Sequence, residues 1–327
     1  AFSIQHSAFS IQHSAFSIYM HPSTRTGYTL ATIAAIVWAA TGPGISYLLN
    51  EYHMQPLALA FWRDAIVAVA CMGGLLLAGR GRLPAVSRGD MRGFAAIGAI
   101  SVGVYHALFI ISIALNGAAM AIVLIYLYPA IVSLGAWLFF KERIEAQQLA
   151  ALALALLGCV LLVRAYDPAV LRVSWLGVLV GVGSAVGHSG YVLFNQRAVS
   201  RHSPWLSLGL TMTFGALALL AINLIVIGPR GLVTVGTSIR PWLALLALSL
   251  GPTLGGYALF TICLRHIPGR IASLIVVIEA PIATLAAVLL LGERIEPIQM
   301  IGMLFVLVAA VLPGLPLRLL RREPAVG

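Results

Sequence analysis

Ten stretches of about twenty predominantly apolar residues follow one another along this chain, at 28–49, 57–79, 93–115, 118–140, 147–165, 174–196, 204–228, 241–264, 270–291 and 297–319. An α-helix rising 1.5 Å per residue crosses a hydrocarbon core of about 30 Å with a run of that length. Within lipid a helix satisfies its own backbone hydrogen bonds, which an open sheet or a loop cannot do. The connections are short: Asn116-Gly117 is nearly all that separates the third run from the fourth, which leaves no room for an extramembrane domain. Of 327 residues, 61% are hydrophobic and 9% charged, against roughly 25% charged in a soluble domain. A soluble chain this apolar could not cover its surface. A formal charge of +10 would suggest nucleic acid for a soluble protein. Here the basic residues lie in loops between runs, where membrane topology accounts for them and no nucleic-acid partner is expected. The chain is expected to be an all-α polytopic membrane protein with ten transmembrane helices in contact with membrane lipids.

A duplication organises the ten runs. Tyr128-Pro129-Ala130 leads through apolar residues to Phe140-Lys141-Glu142-Arg143-Ile144-Glu145, and Glu279-Ala280-Pro281 leads likewise to Leu291-Gly292-Glu293-Arg294-Ile295-Glu296. Gln148 and Gln299 follow, each opening a further apolar run. The prolines are 152 residues apart and the Glu-Arg pairs 151, so a helix–turn–helix unit occurs twice. Two repeats of five spans are expected, at 26–165 and 174–320. Five is odd, so the second repeat enters the membrane inverted relative to the first. Inverted repeats are a recurrent transporter plan with a site near the midplane between halves, and exchange of conformation between the halves gives alternating access.

Loop charges set the orientation. With the N-terminus cytoplasmic, fourteen basic residues fall inside, Lys141, Arg143, Arg197 and Arg270 among them, and five outside, Arg164, Arg172, Arg230, Arg240 and Arg294. Both termini are therefore expected in the cytoplasm. Residues 1–18 repeat AFSIQHS with a seven-residue period. Residues 1–19 read as a non-native or disordered N-terminal segment, with the native start at Met20.

Polar groups inside runs carry a cost in lipid and mark candidate sites. Arg63 and Asp64 lie a few residues into the second run; Arg63 either faces a cavity, anchors a neighbouring helix or snorkels to the outer interface. Glu279 is the acid deep in the second half, able to carry a proton or bind a cationic group, or else fixed by a donor from another helix. Its charge is not duplicated, since Tyr128 precedes Pro129. His106 and His188 are candidate substrate contacts or proton relays, or satisfied interhelical histidines. Trp38, Tyr105, Tyr126, Tyr128, Tyr191 and Tyr257 lie well within runs, where polar-tipped aromatics either pack or line one wet cavity. Pro129 and Pro281 are helix breaks, serving as hinges or static kinks. Gly42-Pro43-Gly44 is expected to interrupt the first run close to Trp38, where a gate can be placed. Gly177, Gly181, Gly183 and Gly187 allow close helix approach. Cys71, Cys159 and Cys263 fall in apolar runs without metal or disulfide spacing and read as small buried hydrophobes. No nucleophile–base pair, metal-ligand set or nucleotide motif is present, so neither an enzyme, a metal nor a cofactor is expected.

These residues resemble the drug/metabolite transporter superfamily, specifically its EamA-type ten-helix exporters. The family's fourth-helix pattern, proline to Gly-Glu-Arg plus an apolar residue, matches Pro281 to Gly292-Glu293-Arg294-Ile295; the first copy carries Lys141 where the glycine is usual. Phe61-x-Arg63, the stretch Ile33 to Trp38-Ala39-Ala40-Thr41-Gly42, and Glu279-x-Pro281 also match, and the resemblance runs from Thr26 to about Leu320. It implies two inverted five-helix repeats and export of amino acids, other metabolites or cationic drugs, some bacterial members exporting aromatic amino acids. The expected function is export of amino acids, aromatic ones favoured, or related small metabolites across a bacterial inner membrane by a monomer. The substrate is small and amphipathic or zwitterionic, and proton coupling through Glu279 or a histidine stays open beside facilitated diffusion. Export of hydrophobic cationic drugs is the alternative in transport, and a receptor or scaffold the alternative outside it; loops this short carry little partner surface.

Overall fold

A computed structural model describes residues 22–168, 174–236, 238–291 and 295–314. The AFSIQHS repeat, Arg172, the Gly292-Glu293-Arg294 echo and the C-terminal arginines lie outside the described residues. The chain is helical throughout them: α1 (Pro22–Trp38), α2 (Thr41–Tyr52), α3 (Pro56–Ala78), α4 (Arg88–Gly98), α5 (Tyr105–Ile125), α6 (Tyr128–Phe140), α7 (Ala146–Leu162), α8 (Trp175–Ala198), α9 (Pro204–Val226), the short α10 (Gly228–Leu232), α11 (Ile239–Leu248), α12 (Leu254–Cys263), α13 (Gly269–Val276), α14 (Glu279–Leu291) and α15 (Pro297–Val311). Among the described residues, nine helical stretches are long and apolar enough to cross a membrane, and α7 is a shorter apolar helix. The protein is an all-α polytopic membrane protein. The fifth expected run, 147–165, corresponds to α7, whose 17 residues stand at the lower limit of length for crossing the hydrocarbon core.

Prolines determine where the spans break. A proline lacks the N–H that would bond to residue i−4 and its ring crowds that carbonyl. Pro129 lies four residues after Ile125, where α5 ends; Pro281 lies four after Val277, the first residue beyond α13; Pro252 lies four after Leu248, where α11 ends. Pro43 likewise acts on Ala39, and α1 and α2 are interrupted at Ala39-Ala40. The expectation that Gly42-Pro43-Gly44 itself breaks the first span is thus corrected: these residues form the first turn of α2, and the break precedes them because the lost bond is four residues back. A second duplication was hidden in the sequence. π-helical stretches at Ala99–Val104 and Ser249–Thr253 interrupt the third and eighth spans, and such bulges concentrate at functional sites.

Helical geometry continues through Asn116-Gly117, which were expected to form a loop. The chain reverses there nonetheless. Side-chain atoms of Ser112 and Leu124 both press on the same point above Gly181, whereas residues twelve apart on one straight helix stand about 18 Å apart. Asn116 helps hold the reversal, its Oδ1 accepting from the Ser174 N–H at 2.7 Å.

Close approaches of small residues join the halves. A Cβ on Gly158 of α7 would meet the Gly302 carbonyl oxygen of α15 at 2.7 Å, and one on Gly302 would meet the Gly158 oxygen at 2.7 Å. Gly187 of α8 lies against Tyr105, and Gly181 against Ser112 and Leu124, as the spacing of the glycines led one to expect. Gly256 of α12 lies against the Trp38 indole of α1. Asn223 Nδ2 of α9 donates to the Leu57 carbonyl of α3 at 3.0 Å, and the Tyr128 hydroxyl of α6 donates to the Ser273 carbonyl of α13 at 3.1 Å. Cys71, Cys159 and Cys263 are buried free thiols.

Lys141 ends α6 in the left-handed region, with φ 57°. That conformation costs a side-chain-bearing residue about 1–2 kcal/mol and glycine almost nothing.

Candidate functional site

The helix interruptions converge on one cavity of about 310 Å³. Trp38 and Thr41 flank the break between α1 and α2. Tyr126 and Tyr128 flank the start of α6, Val276 and Glu279 flank the break between α13 and α14, and Thr253 belongs to the second π-helical stretch. Tyr105 follows the first π-helical stretch directly, with His106, Phe109, Ile110 and Ile113 beyond it on α5. Arg63 enters from α3, His188 from α8 and Tyr257 from α12. The second run contributes Pro56 and Leu59 beside Arg63, for which a cavity-facing position was one of the open alternatives.

Lining side chains toward one end, Ile45, Leu49, Pro56 and Ile113, are partly exposed, whereas Tyr128, His188 and Val276 at the floor are buried. The cavity therefore opens at the end of the bundle where α2 meets α3. Its floor is aromatic. Trp38 meets Tyr257 edge-on at 4.9 Å between ring centroids, His188 lies 4.9 Å from Tyr105, and Tyr128 meets His188 edge-on at 4.6 Å.

A buried polar chain runs into the wall. Arg63 Nε donates to Asp64 Oδ1 at 3.3 Å, His106 Nδ1 donates to Asp64 Oδ2 at 2.7 Å, and the Tyr257 hydroxyl lies 3.4 Å from His106 Nε2. Asp64 is fully buried and Arg63 only 6% exposed. Arg63 forms a buried ion pair with Asp64 and is also one of the residues that line the cavity. His106 is engaged by Asp64 while its ring lines the wall.

Three groups at the cavity remain open to a ligand. Thr41 Oγ1 and His188 Nδ1 are buried with no hydrogen-bond partner among the described residues. Glu279 starts α14, where the helix N-terminus favours an anion, and among the described residues no hydrogen bond or ion pair engages its carboxylate. Tyr105 lies within Coulombic range of both Arg63 and Glu279. Buried polar groups are ordinarily paired, so two unpaired ones and an unengaged carboxylate around one cavity point to a polar ligand. No cluster among the described residues offers three His, Cys, Asp or Glu side chains to a metal.

Of the anticipated residues, Trp38, Gly42, Arg63, Tyr105, His106, Tyr126, Tyr128, His188, Tyr257 and Glu279 line the cavity. Tyr191 does not. It is fully buried behind the floor, with its hydroxyl on Thr261 Oγ1 at 2.9 Å and its ring against Tyr257. Asp64, Pro43, Gly44, Pro129 and Pro281 also stand outside the lining: Asp64 orients Arg63 and His106, and the prolines act through the backbone. Sequence reasoning missed Thr41 and Phe109. Thr41 had a legible signal, two residues before Pro43 and just beyond the break that Pro43 imposes.

Comparison with known proteins agrees with this architecture. The model of the EamA-like transporter family matches residues 25–164 and 175–314. An uncharacterized inner membrane transporter of Salmonella typhimurium is 28% identical over 205 residues, 61% of this chain and 66% of that protein, so the match spans about two thirds of its length. An uncharacterized transporter of Bacillus subtilis is 29% identical over 284 residues, 83% of this chain and 87% of that one. A threonine/homoserine exporter of Escherichia coli is 26% identical over 215 residues, 65% of this chain and 68% of that one. A crystal structure 19% identical in sequence superposes with a TM-score of 0.71, covering 88% of this chain and 98% of the other, and shows the same fold.

Proposed function

The chain belongs to the EamA-like transporter family, a family of carriers and not of enzymes, and on that premise we propose that it exports amino acids, aromatic ones foremost, or closely similar small metabolites. The observation that carries this reading is the distribution of charge around the cavity. Arg63, backed by Asp64, and Glu279 both line it without pairing to one another. A zwitterion placed between them puts its carboxylate on Arg63, with His188 Nδ1 or Thr41 Oγ1 as further partners, and its ammonium on Glu279. The side chain then lies among Trp38, Tyr105 and Tyr126. A volume of about 310 Å³ stands at the low end of the roughly 300–1,000 Å³ of small-molecule pockets and suits one amino acid better than a large multi-ring drug. That a relative bears the name of a threonine/homoserine exporter supports the amino-acid class.

Alternating access between inverted halves is supported by three features. The proline breaks recur in both halves, and so do the π-helical stretches. The contacts between spans pair the first with the eighth, the third with the sixth, the second with the seventh, the fourth with the ninth and the fifth with the tenth. Exchanging the halves, first for sixth and so on, returns the same set. On this reading the repeats are 26–165 and 174–320, α7 is the fifth of ten spans, both termini are cytoplasmic and the protein resides in the cytoplasmic membrane. One chain lines the whole cavity, so a monomer suffices.

Glu279 also supports a second reading. Arg63 is already neutralised by Asp64, which leaves the carboxylate of Glu279 in excess and favours a cationic solute. Counterflow in proteoliposomes separates the two. Liposomes loaded with unlabelled phenylalanine should accumulate labelled phenylalanine, and external phenylalanine should compete far better than its methyl ester, which keeps the ammonium and lacks the carboxylate. Absence of counterflow with phenylalanine, tyrosine and tryptophan sinks the aromatic assignment, and an ester that competes as well as the acid favours cation export.

A further inference from the structure

Beyond the cavity floor, at the end away from its mouth, the Glu142 of the duplicated motif is tied across the two halves. Arg270 Nε donates to Glu142 Oε2 at 2.5 Å, and Arg270 Nη1 donates to Gln148 Oε1 at 2.8 Å. Gln196 Nε2 donates to Glu142 Oε1 at 3.0 Å while its Oε1 accepts from the Gly269 N–H at 2.8 Å. Gln148 Nε2 donates to Ser133 Oγ at 2.9 Å, and Ser133 Oγ donates to the Pro129 carbonyl at 2.8 Å. This clasp therefore joins α6 and α7 of the first half to α8 and α13 of the second, and reaches back to the proline that breaks the cavity wall.

Helix geometry places the clasp directly under the floor. Val276 to Arg270 is about 9 Å along α13 and His188 to Gln196 about 12 Å along α8, at 1.5 Å per residue. Between floor and clasp lie the fully buried Val132, Val192 and Ala272, a dry plug that must part before the cavity can open this way. The Arg270 and Glu142 side chains are only 20% and 22% exposed, so solvent screens the pair less than it would a surface pair.

The arginine of the clasp has no counterpart in the sequence of the other half. Counting back from Arg270 by either repeat spacing, 151 or 152 residues, lands on Ala119 or Ala118. The other ion pair near the second motif, Arg164 with Glu296 at 3.2 Å, joins the fifth and tenth spans. It does not cross the cavity mouth.

We propose that Glu142 and Arg270, braced by Gln148 and Gln196, form a one-sided gate latch: it seals the end of the cavity away from the mouth, makes the state described above the resting state, and must be released for each transport cycle. The latch rests on the alternating-access reading for its role in the cycle. These are positioning residues; none of them lines the cavity.

The test uses full-length protein in lipid nanodiscs, where both faces are accessible, with Cys71, Cys159 and Cys263 replaced. Ala272→Cys reports on the plug and Leu49→Cys on the mouth, each read as a rate of labelling by a soluble maleimide. With the latch intact, position 49 should label fast and position 272 slowly. Arg270→Gln or Glu142→Gln should raise the rate at position 272 about tenfold or more, as expected for losing a hydrogen-bonded charge pair, and lower the rate at position 49. The exchanged pair, Glu142→Arg with Arg270→Glu, should restore both rates. Gln148→Leu, which leaves the ion pair in place, should give an intermediate rise and serves if the charge variants do not fold. An unchanged rate at position 272 in these variants overturns the latch, as does a rise that the exchanged pair fails to reverse. A rise at position 272 with no fall at position 49 supports the latch and contradicts alternating access.

Discussion

Glu279→Gln is expected to weaken amino-acid binding by about 2–5 kcal/mol, thirtyfold or more in Kd, because it removes the counter-charge of the substrate ammonium in a desolvated wall. The same substitution should leave stability unchanged or raised. Nothing in the described protein pairs with that carboxylate, and a buried charge without a partner is a cost to folding. Equilibrium binding of labelled phenylalanine measures the first effect and thermal unfolding of the purified protein the second. 3-Phenylpropionate, which lacks the ammonium, should bind the wild type and the variant alike. A variant that keeps full affinity for phenylalanine would remove Glu279 from the ammonium site. If export by the wild type responds to a pH gradient, loss of that response in Glu279→Gln would assign the proton to the same carboxylate.

The largest effect on folding is expected one layer behind the wall. Asp64 is fully buried and holds both Arg63 and His106. Removing one member of a buried ion pair costs about 3–5 kcal/mol, because the survivor remains charged and unpaired, whereas replacing the pair by apolar residues is often close to neutral. Asp64→Ala should therefore unfold far below the wild type on heating, while Arg63→Met combined with Asp64→Leu should recover most of that loss. The double variant should still fail to transport, since it lacks the proposed carboxylate anchor. Recovery of transport along with stability would reduce Arg63 to a packing residue. Asp64 and Glu279 thus divide two roles between carboxylates, one fully buried and paired for structure and one half-buried and left open to the substrate.

Much of this was legible in the sequence because it depends on local rules. Run lengths located the spans, and the Pro129 and Pro281 breaks followed from what proline removes. The same rule, applied four residues back from Pro43, would have placed the first break at Ala39 and drawn attention to Thr41. Glu279, His188 and the tyrosines of the third, fourth and eighth spans announced themselves as polar groups in lipid. What the sequence did not disclose depends on contacts between distant spans. Asp64 meets His106 across 42 residues and Glu142 meets Arg270 across 128, and neither separation leaves a periodic trace. Tyr191 and Tyr257 look alike as sequence, yet only Tyr257 reaches the cavity, because the rotation of α8 turns Tyr191 onto Thr261. The π-helical stretches were harder to see for a related reason. The first packs against the small residues of α9, where a Cβ on Gly103 would meet the Gly215 carbonyl at 2.8 Å, and only the second carries a residue that announces it, Pro252.

The substrate is expected to pass through the cavity between the halves. Ile110 lines it on α5 and takes no part in the proposed charge contacts. In protein lacking its native cysteines, Ile110→Cys should react with a bulky maleimide, and the modified protein should lose phenylalanine counterflow. Phenylalanine should protect position 110 from labelling, with half-protection at the concentration that half-saturates counterflow. Full counterflow after complete modification, or labelling that saturating phenylalanine leaves unslowed, would contradict it.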